Sequence, residues 1–242
     1  MRFAEAVVAT GAQVYDTGTA PSEIDIATDT RTLAPGQTFL ALHGERFDGH
    51  AYVSEAIERG AKLLIVDNAE AIVPGTAALL VRDTLHAYLA LASAARAKFR
   101  GRVLAITGST GKTTTKAFAM QLLATRYNAR VLAAPANENN EVGVSKLLLA
   151  ADNDAHDVLI VEMGARHYGD IETLVRVTRP DLGILTNVGD AHLEIMGSRE
   201  RLEETKWALF ATGARAILNA GDVTAIRRAP SLAAPPHWFF SA

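Results

Sequence analysis

Residues 103–116, VLAITGSTGKTTTK, set two glycines three positions apart ahead of a lysine and a run of threonines. That order suits phosphate chemistry. Glycines let backbone N–H groups curl around phosphate oxygens, and a helix opening at the lysine adds its positive pole. Lys112 reaches the outer phosphates and Thr113 offers a hydroxyl to Mg²⁺. Gly108, Ser109, Thr110, Gly111, Lys112, Thr113 and Thr114 are therefore the candidate nucleotide loop. It is a shorter variant of the general phosphate loop, with Ile106 where an earlier glycine usually stands.

Other stretches carry groups that could serve the same chemistry. DVLIVEMGA (157–165) ends an apolar run in Glu162, which reads either as a cap on a strand end or as a second ligand for a nucleotide's magnesium. ILTNVGDAHLE (184–194) brings Asn187, Asp190, His192 and Glu194 after another apolar run. ANENNEVGVSKLLL (136–149) opens a helix with Asn139 and Asn140, as ordinary caps or as groups facing a phosphate or an incoming substrate. In RLEETKWALF (201–210), Lys206 falls on one helical face with Leu202, Leu209 and Phe210, while Glu203 and Glu204 point elsewhere. The ordinary reading is that its methylene stem lies on the core while the ammonium lifts to water; the alternative is that the ammonium faces inward for a functional reason. DTRTLAPGQTFLALHGERFDGH (29–50) puts Arg31 beside hydroxyl and backbone donors, a set that fits a diphosphate or simply a solvated loop.

Strand ends and helix starts must position these groups. From Arg102 onward, VLAIT (103–107), RVLAA (130–134), DVLIVEM (157–163), DLGILTN (181–187) and AILN (216–219) alternate with helical segments. Continuous apolar runs linked by helices describe buried parallel strands, hence a doubly wound α/β sheet with ligands beyond the carboxyl ends of its strands. Residues 1–98 read as a smaller α/β unit built on QTFLAL (37–42), KLLIVD (62–67) and ALLVRD (78–83), with helices over 51–61 and 85–100. The division expected is 1–98 and 99–242, with 227–236, RRAPSLAAPP, as a linker or surface loop.

Composition narrows the options. The 242 residues carry a net charge of −3 and no cysteine, which removes disulfides, thiolate nucleophiles and Cys-ligated zinc. Scattered Lys and Arg argue against a nucleic-acid surface, and no apolar run has the roughly 20 residues needed to span a bilayer. The expectation is a cytoplasmic protein. TNVGDAH lacks the lysine of a guanine-reading Asn-Lys-x-Asp motif, which disfavours a GTPase.

Taken together, these segments resemble the Mur ligase family of peptidoglycan synthesis, from Asp29 to about Asp222. NENNEVGV, EMGARHYGDI and TNVGDAHLEIMGS match the MurF type, which joins D-alanyl-D-alanine to a UDP-N-acetylmuramoyl-tripeptide. The resemblance implies that ATP phosphorylates the peptide's terminal carboxylate and that the dipeptide amine then displaces phosphate. By position, it assigns Gly108 through Thr114, with Asn139 and Asn140, to ATP, and Thr113 and Glu162 to one Mg²⁺. It assigns His192 to a second Mg²⁺ and makes Lys206 an N6-carboxylysine assisting that metal, so that Lys112, Lys206 and His192 carry catalysis. Thr30, Arg31, Gly44, Asp48 and His50 fall in the UDP-substrate motif. The resemblance also implies a monomer and a further C-terminal ligase domain outside this sequence. Trp207-Ala208 stands where the family carries Gly-Glu, which leaves open a noncatalytic nucleotide- or UDP-substrate-binding remnant of such a ligase.

Overall fold

Apolar runs bounded by turn-forming glycines become strands here. The computed structural model describes residues 1–15, 18, 20–44, 47–135, 138–189 and 193–240, with Leu193 and Glu194 as backbone only. The chain divides into two units, Met1–Ala95 and Arg96–Ala242.

The first unit runs α1 (Phe3–Thr10), β1 (Gln13–Tyr15), β2 (Ile26–Ala27), β3 (Thr38–Leu40), the hairpin strands β4 (His43–Gly44) and β5 (Phe47–Asp48), α2 (Val53–Glu58), β6 (Leu63–Val66), β7 (Ala77–Leu80) and α3 (Thr84–Lys98). Its sheet has the order β1-β7-β6-β3-β2, parallel except for β1 against β7. Leu63, Leu64, Ile65 and Val66 are all fully buried, as a central parallel strand covered on both faces requires. Each such side chain contributes roughly 1.5–3 kcal/mol relative to exposure. α1 and β1 lie in a stretch whose sequence offered neither strand alternation nor a long helical stripe. Gly11, at φ 62°, ends α1 by a left-handed turn.

The second unit runs β8 (Arg102–Thr107), α4 (Lys112–Tyr127), β9 (Val131–Ala133), α5 (Glu141–Leu149), β10 (Val158–Glu162), α6 (Asp170–Thr178), β11 (Leu182–Leu185), α7 (Leu193–Met196), α8 (Arg199–Trp207), β12 (Arg215–Asn219), α9 (Val223–Arg228) and β13 (His237–Phe239). The sheet order is β13-β12-β11-β8-β10-β9, and every neighbouring pair is parallel. The doubly wound sheet expected from the sequence is therefore present. This sheet begins in β8, with β9 and β10 laid to one side and β11 to β13 to the other, so its topology switches at β8. Register aligns Glu162 with Ile106 and Leu185 with Thr107. The ends of β8, β10 and β11 thus open side by side.

One expectation needs correction. The stretch 227–236 is not all loop: Arg227 and Arg228 complete α9, and residues 229–231 form a 3-10 turn. The cause lies upstream, where Asp222 caps α9 by accepting from the N–H of Ala225 at 2.7 Å. Glu203, off the face that carries Lys206, is buried as well, at 8% exposure. It accepts hydrogen bonds from Thr224 Oγ1 at 3.0 Å and Arg199 Nε at 3.3 Å, and also from an Arg227 NH₂ group, tying α8 to α9. Burial alone would raise the Glu203 pKa, but these donors bring it below the usual carboxylate value.

Candidate nucleotide and metal site

The loop between β8 and α4 is held in shape by the loop after β11. Gly108 has φ 149°, and Gly111, at φ 80°, is the N-cap of α4. Ser109 N–H donates to Asn187 O at 3.0 Å, and Ser109 Oγ donates to Gly189 O at 3.1 Å. Thr110 N–H donates to Asn187 Oδ1 at 3.1 Å, while Asn187 Nδ2 donates back to Thr110 Oγ1 at 2.9 Å. Thr186 Oγ1 donates to Thr110 O at 2.7 Å. Two of the loop's amides are thereby engaged within the protein. Among the described residues, the N–H groups of Gly111, Lys112, Thr113 and Thr114 have no acceptor, as expected at a helix start. Those four amides form the positive, N-terminal end of a 16-residue helix, an arrangement suited to an anion. Beside them Lys112 Nζ donates to Gly108 O at 2.8 Å and to Ser109 O at 3.3 Å. Burial lowers its pKa, partly offset by the charge of Glu162.

Glu162 ends β10 at 2% exposure. Its Oε1 accepts from Thr113 Oγ1 and from Asn139 Nδ2, both at 3.1 Å. Among the described residues its Oε2 makes no hydrogen bond, and it lies 3.1 Å from Lys116 Nζ, close enough for ion pairing but not aligned as a hydrogen bond. A hydroxyl and a buried carboxylate in contact are hard oxygen donors, so these residues fit Mg²⁺. The structure thus joins the predicted Thr113, Glu162 and Asn139. Asn140 acts differently, since its Oδ1 accepts from Gly143 N–H at 3.0 Å as the cap of α5. Lys116 was not among the expected residues. It sits one helical turn after Lys112, and that i,i+4 spacing is the only sequence signal that could have found it.

Lys206 lies on α8 at 3% exposure, and its stripe partners Leu202, Leu209 and Phe210 are also buried. Among the described residues its Nζ has no hydrogen-bond partner. Burial, reinforced by the charge of Lys112, lowers its pKa to about 8. The next residue, Trp207, packs edge-on against Phe210 and under the guanidinium of Arg228. His192, expected as a metal ligand, falls outside the described residues, as does Asp190.

The first unit holds the remaining expected residues. Thr30 is buried in a 3-10 turn capped by Asp29, whose carboxylate grips Arg31 with NH₂ and Nε contacts of 2.6–3.1 Å. Asp48 accepts from His50 N–H at 2.9 Å and lies 2.6 Å from His50 Nδ1. The backbone donor, then the ring, hold the Asp48 pKa below its usual value. His50 Nε2 accepts from Asp67 N–H at 3.2 Å. Gly44 lies in β4, antiparallel to β5 and Asp48. His43, His50 and Asp67 bring one ligand atom each within 4.8 Å of one another, but the bond from Asp67 N–H uses the Nε2 lone pair of His50 that a metal would need.

Known proteins resemble the chain along nearly its whole length. Residues 25–107 match the profile described as Mur ligase family, catalytic domain, and residues 106–242 match the Mur ligase middle domain. The UDP-N-acetylmuramoyl-tripeptide--D-alanyl-D-alanine ligase of Synechocystis is 43% identical over 188 residues, covering 77% of this chain and 41% of that protein. The same-named ligase of Escherichia coli is 37% identical over 200 residues, covering 81% of this chain and 43% of that protein. Among solved structures, MurF from Acinetobacter baumannii has a TM-score of 0.85 at 30% identity, covering 99% of this chain and 52% of that one. MurF ligase from Thermotoga maritima, solved in complex with ADP, has a TM-score of 0.79 at 32% identity, covering 90% and 50%. The chain thus spans about half or less of these relatives' length. With the middle-domain profile alone matching more than half of its residues, the chain belongs to the Mur ligase family.

Proposed function

We propose that this chain carries the ATP-binding and UDP-substrate-binding parts of a MurF-type ligase, which joins D-alanyl-D-alanine to a UDP-N-acetylmuramoyl-tripeptide. The observation that carries this reading is the contact of Thr113 with Glu162, which sets a hydroxyl and a carboxylate beside four acceptor-free amides and Lys112. The amides of Gly111 through Thr114 grip phosphate oxygens. Lys112 exchanges its loop carbonyls for the transferring phosphate and offsets the charge that develops there. Thr113 and Glu162 would hold Mg²⁺, which when bound supplies Lewis-acid neutralisation of the phosphate oxygens. The tripeptide carboxylate takes the γ-phosphate to give an acyl phosphate. The dipeptide amine then attacks the acyl carbon, and phosphate leaves as the amide forms.

Lys206, with its lowered pKa, is part neutral amine near pH 8 and can add CO₂ to become N6-carboxylysine. His192, by resemblance, is the histidine beside a second Mg²⁺. Thr30, Arg31, Gly44, Asp48 and His50 contact the UDP-linked substrate. ATP and a nucleotide-linked precursor imply a cytoplasmic reaction, which we assign to a monomer. No helix among the described residues is long and apolar enough to cross a membrane.

Calorimetric titration of the 242-residue chain with Mg-ATP and, separately, with UDP-N-acetylmuramoyl-tripeptide tests the proposal. Both are expected to bind, and absence of either interaction would contradict the corresponding half. A phosphate-release assay with D-alanyl-D-alanine present then measures how much of the ligation this part of the enzyme supports.

A further inference from the structure

The two oxygens of Glu162 face different chemistry. Oε1 looks toward Thr113 and Asn139, whereas Oε2 is buried against Lys116 Nζ at 3.1 Å. Lys116 is itself only 5% exposed, and its Nζ donates to Ala134 O, just after β9, at 3.0 Å. The ammonium is thus pinned between the ends of β9 and β10. A buried ion pair is a poor source of stability, because desolvation offsets most of its attraction. Its geometry has a different consequence for a cation at Thr113.

Mg²⁺ demands near-ideal octahedral geometry and takes few protein ligands, whereas the larger Ca²⁺ accepts six to eight oxygens and often binds a carboxylate through both. With Oε2 against an ammonium, Glu162 can present only Oε1. We propose that Lys116 is a positioning residue that confines Glu162 to one-oxygen coordination and so selects Mg²⁺-sized cations over Ca²⁺ at the nucleotide site. This inference rests on the nucleotide-site reading above.

The test uses Mn²⁺ as a paramagnetic probe with ADP, followed by electron paramagnetic resonance, and Ca²⁺ as competitor. The wild-type chain is expected to prefer Mn²⁺. Lys116→Met should lower the ratio of the Ca²⁺ Kd to the Mn²⁺ Kd roughly tenfold, the scale typical for losing a partner of a metal ligand. Lys116→Arg, which restores the charge, should return the ratio towards wild type. Lys116→Gln keeps a donor for Ala134 O without the charge, and carries the same expectation as the Met variant if that variant fails to fold. Equal weakening of both ions, or an unchanged ratio in folded neutral variants, would overturn the inference and leave Lys116 a packing role. Glu162→Gln separates the two levels of the claim. If Mn²⁺ binding with ADP is absent in the wild type, or is indifferent to Glu162→Gln, the nucleotide-site reading falls as well.

Discussion

Gly108 lies so close to Thr186 that a Cβ at position 108 would sit 1.9 Å from the threonine Oγ1. That hydroxyl cannot easily retreat, because it donates to Thr110 O at 2.7 Å and so helps close the phosphate loop. The glycine also has φ 149°, where L side chains are strained. Gly108→Ala is therefore expected to cost about 2 kcal/mol or more in stability. It should also weaken ADP binding by more than roughly tenfold through displacement of the loop. Urea denaturation and calorimetry check both effects, and a variant with wild-type affinity would show that the loop shape is not needed.

Lys206 makes stability depend on pH in an uncommon direction. Its pKa is about 8 in the folded chain against 10.5 as an ordinary lysine, with burial as the main cause. Between those values the unfolded chain holds a proton that the folded chain has released, so stability rises with pH across that window. Below it the buried ammonium is a penalty of up to about 3 kcal/mol, taken as an order of magnitude. In CO₂-depleted buffer, Lys206→Met should be more stable than wild type near neutral pH, with the difference shrinking as pH approaches 10.5. Denaturation curves at the two ends of the window decide it; a less stable Met variant at neutral pH would contradict the burial.

Glu203 couples α8, which carries Lys206, to α9 through Thr224 and Arg227. Glu203→Gln removes the charge while keeping an oxygen for Thr224 and leaves guanidinium groups without a carboxylate. A loss of about 1–3 kcal/mol is expected. Because this carboxyl has a lowered pKa in the folded chain, its contribution is present above the ordinary carboxylate pKa and fades on acidification. The difference between wild type and variant should therefore shrink towards acid pH, which paired melts can measure.

Arg31 is exposed and, among the described residues, ion-pairs with Asp29 next to it in the turn, an arrangement worth little to folding. Arg31→Ala should leave the melting temperature nearly unchanged yet weaken binding of the UDP-linked substrate by about tenfold, as loss of a charge-assisted hydrogen bond predicts. ADP binding should not change. Equal loss of both ligands would remove Arg31 from the substrate role.

Much of this arrangement was legible in the residues. The apolar runs ending at Thr107, Glu162 and Asn187 mark three strand ends, and parallel topology brings such ends together. The glycine spacing marked the turn between β8 and α4, and the stripe through Leu202 and Phe210 put Lys206 on an apolar face without deciding whether its ammonium reached water. What stayed hidden depends on distant partners. Lys116 reads as one more helix-surface lysine until Ala134 and Glu162 close around it. The burial of Glu203 depends on Arg227, a partner 24 residues away in the chain. Asn187 signalled a site residue, but its hydrogen bonds to Ser109 and Thr110 make it the clamp that shapes the loop.

The most direct test of a magnesium-dependent nucleotide site is calorimetry of ADP binding with and without Mg²⁺, on wild type and on Glu162→Gln. The wild-type chain should bind ADP more tightly when Mg²⁺ is present. Glu162→Gln should keep the magnesium-free affinity, supplied by the amides of Gly111 through Thr114, and lose most of the gain from the metal. A gain of the same size in both proteins, or none in the wild type, would contradict the assignment of Thr113 and Glu162 to the metal.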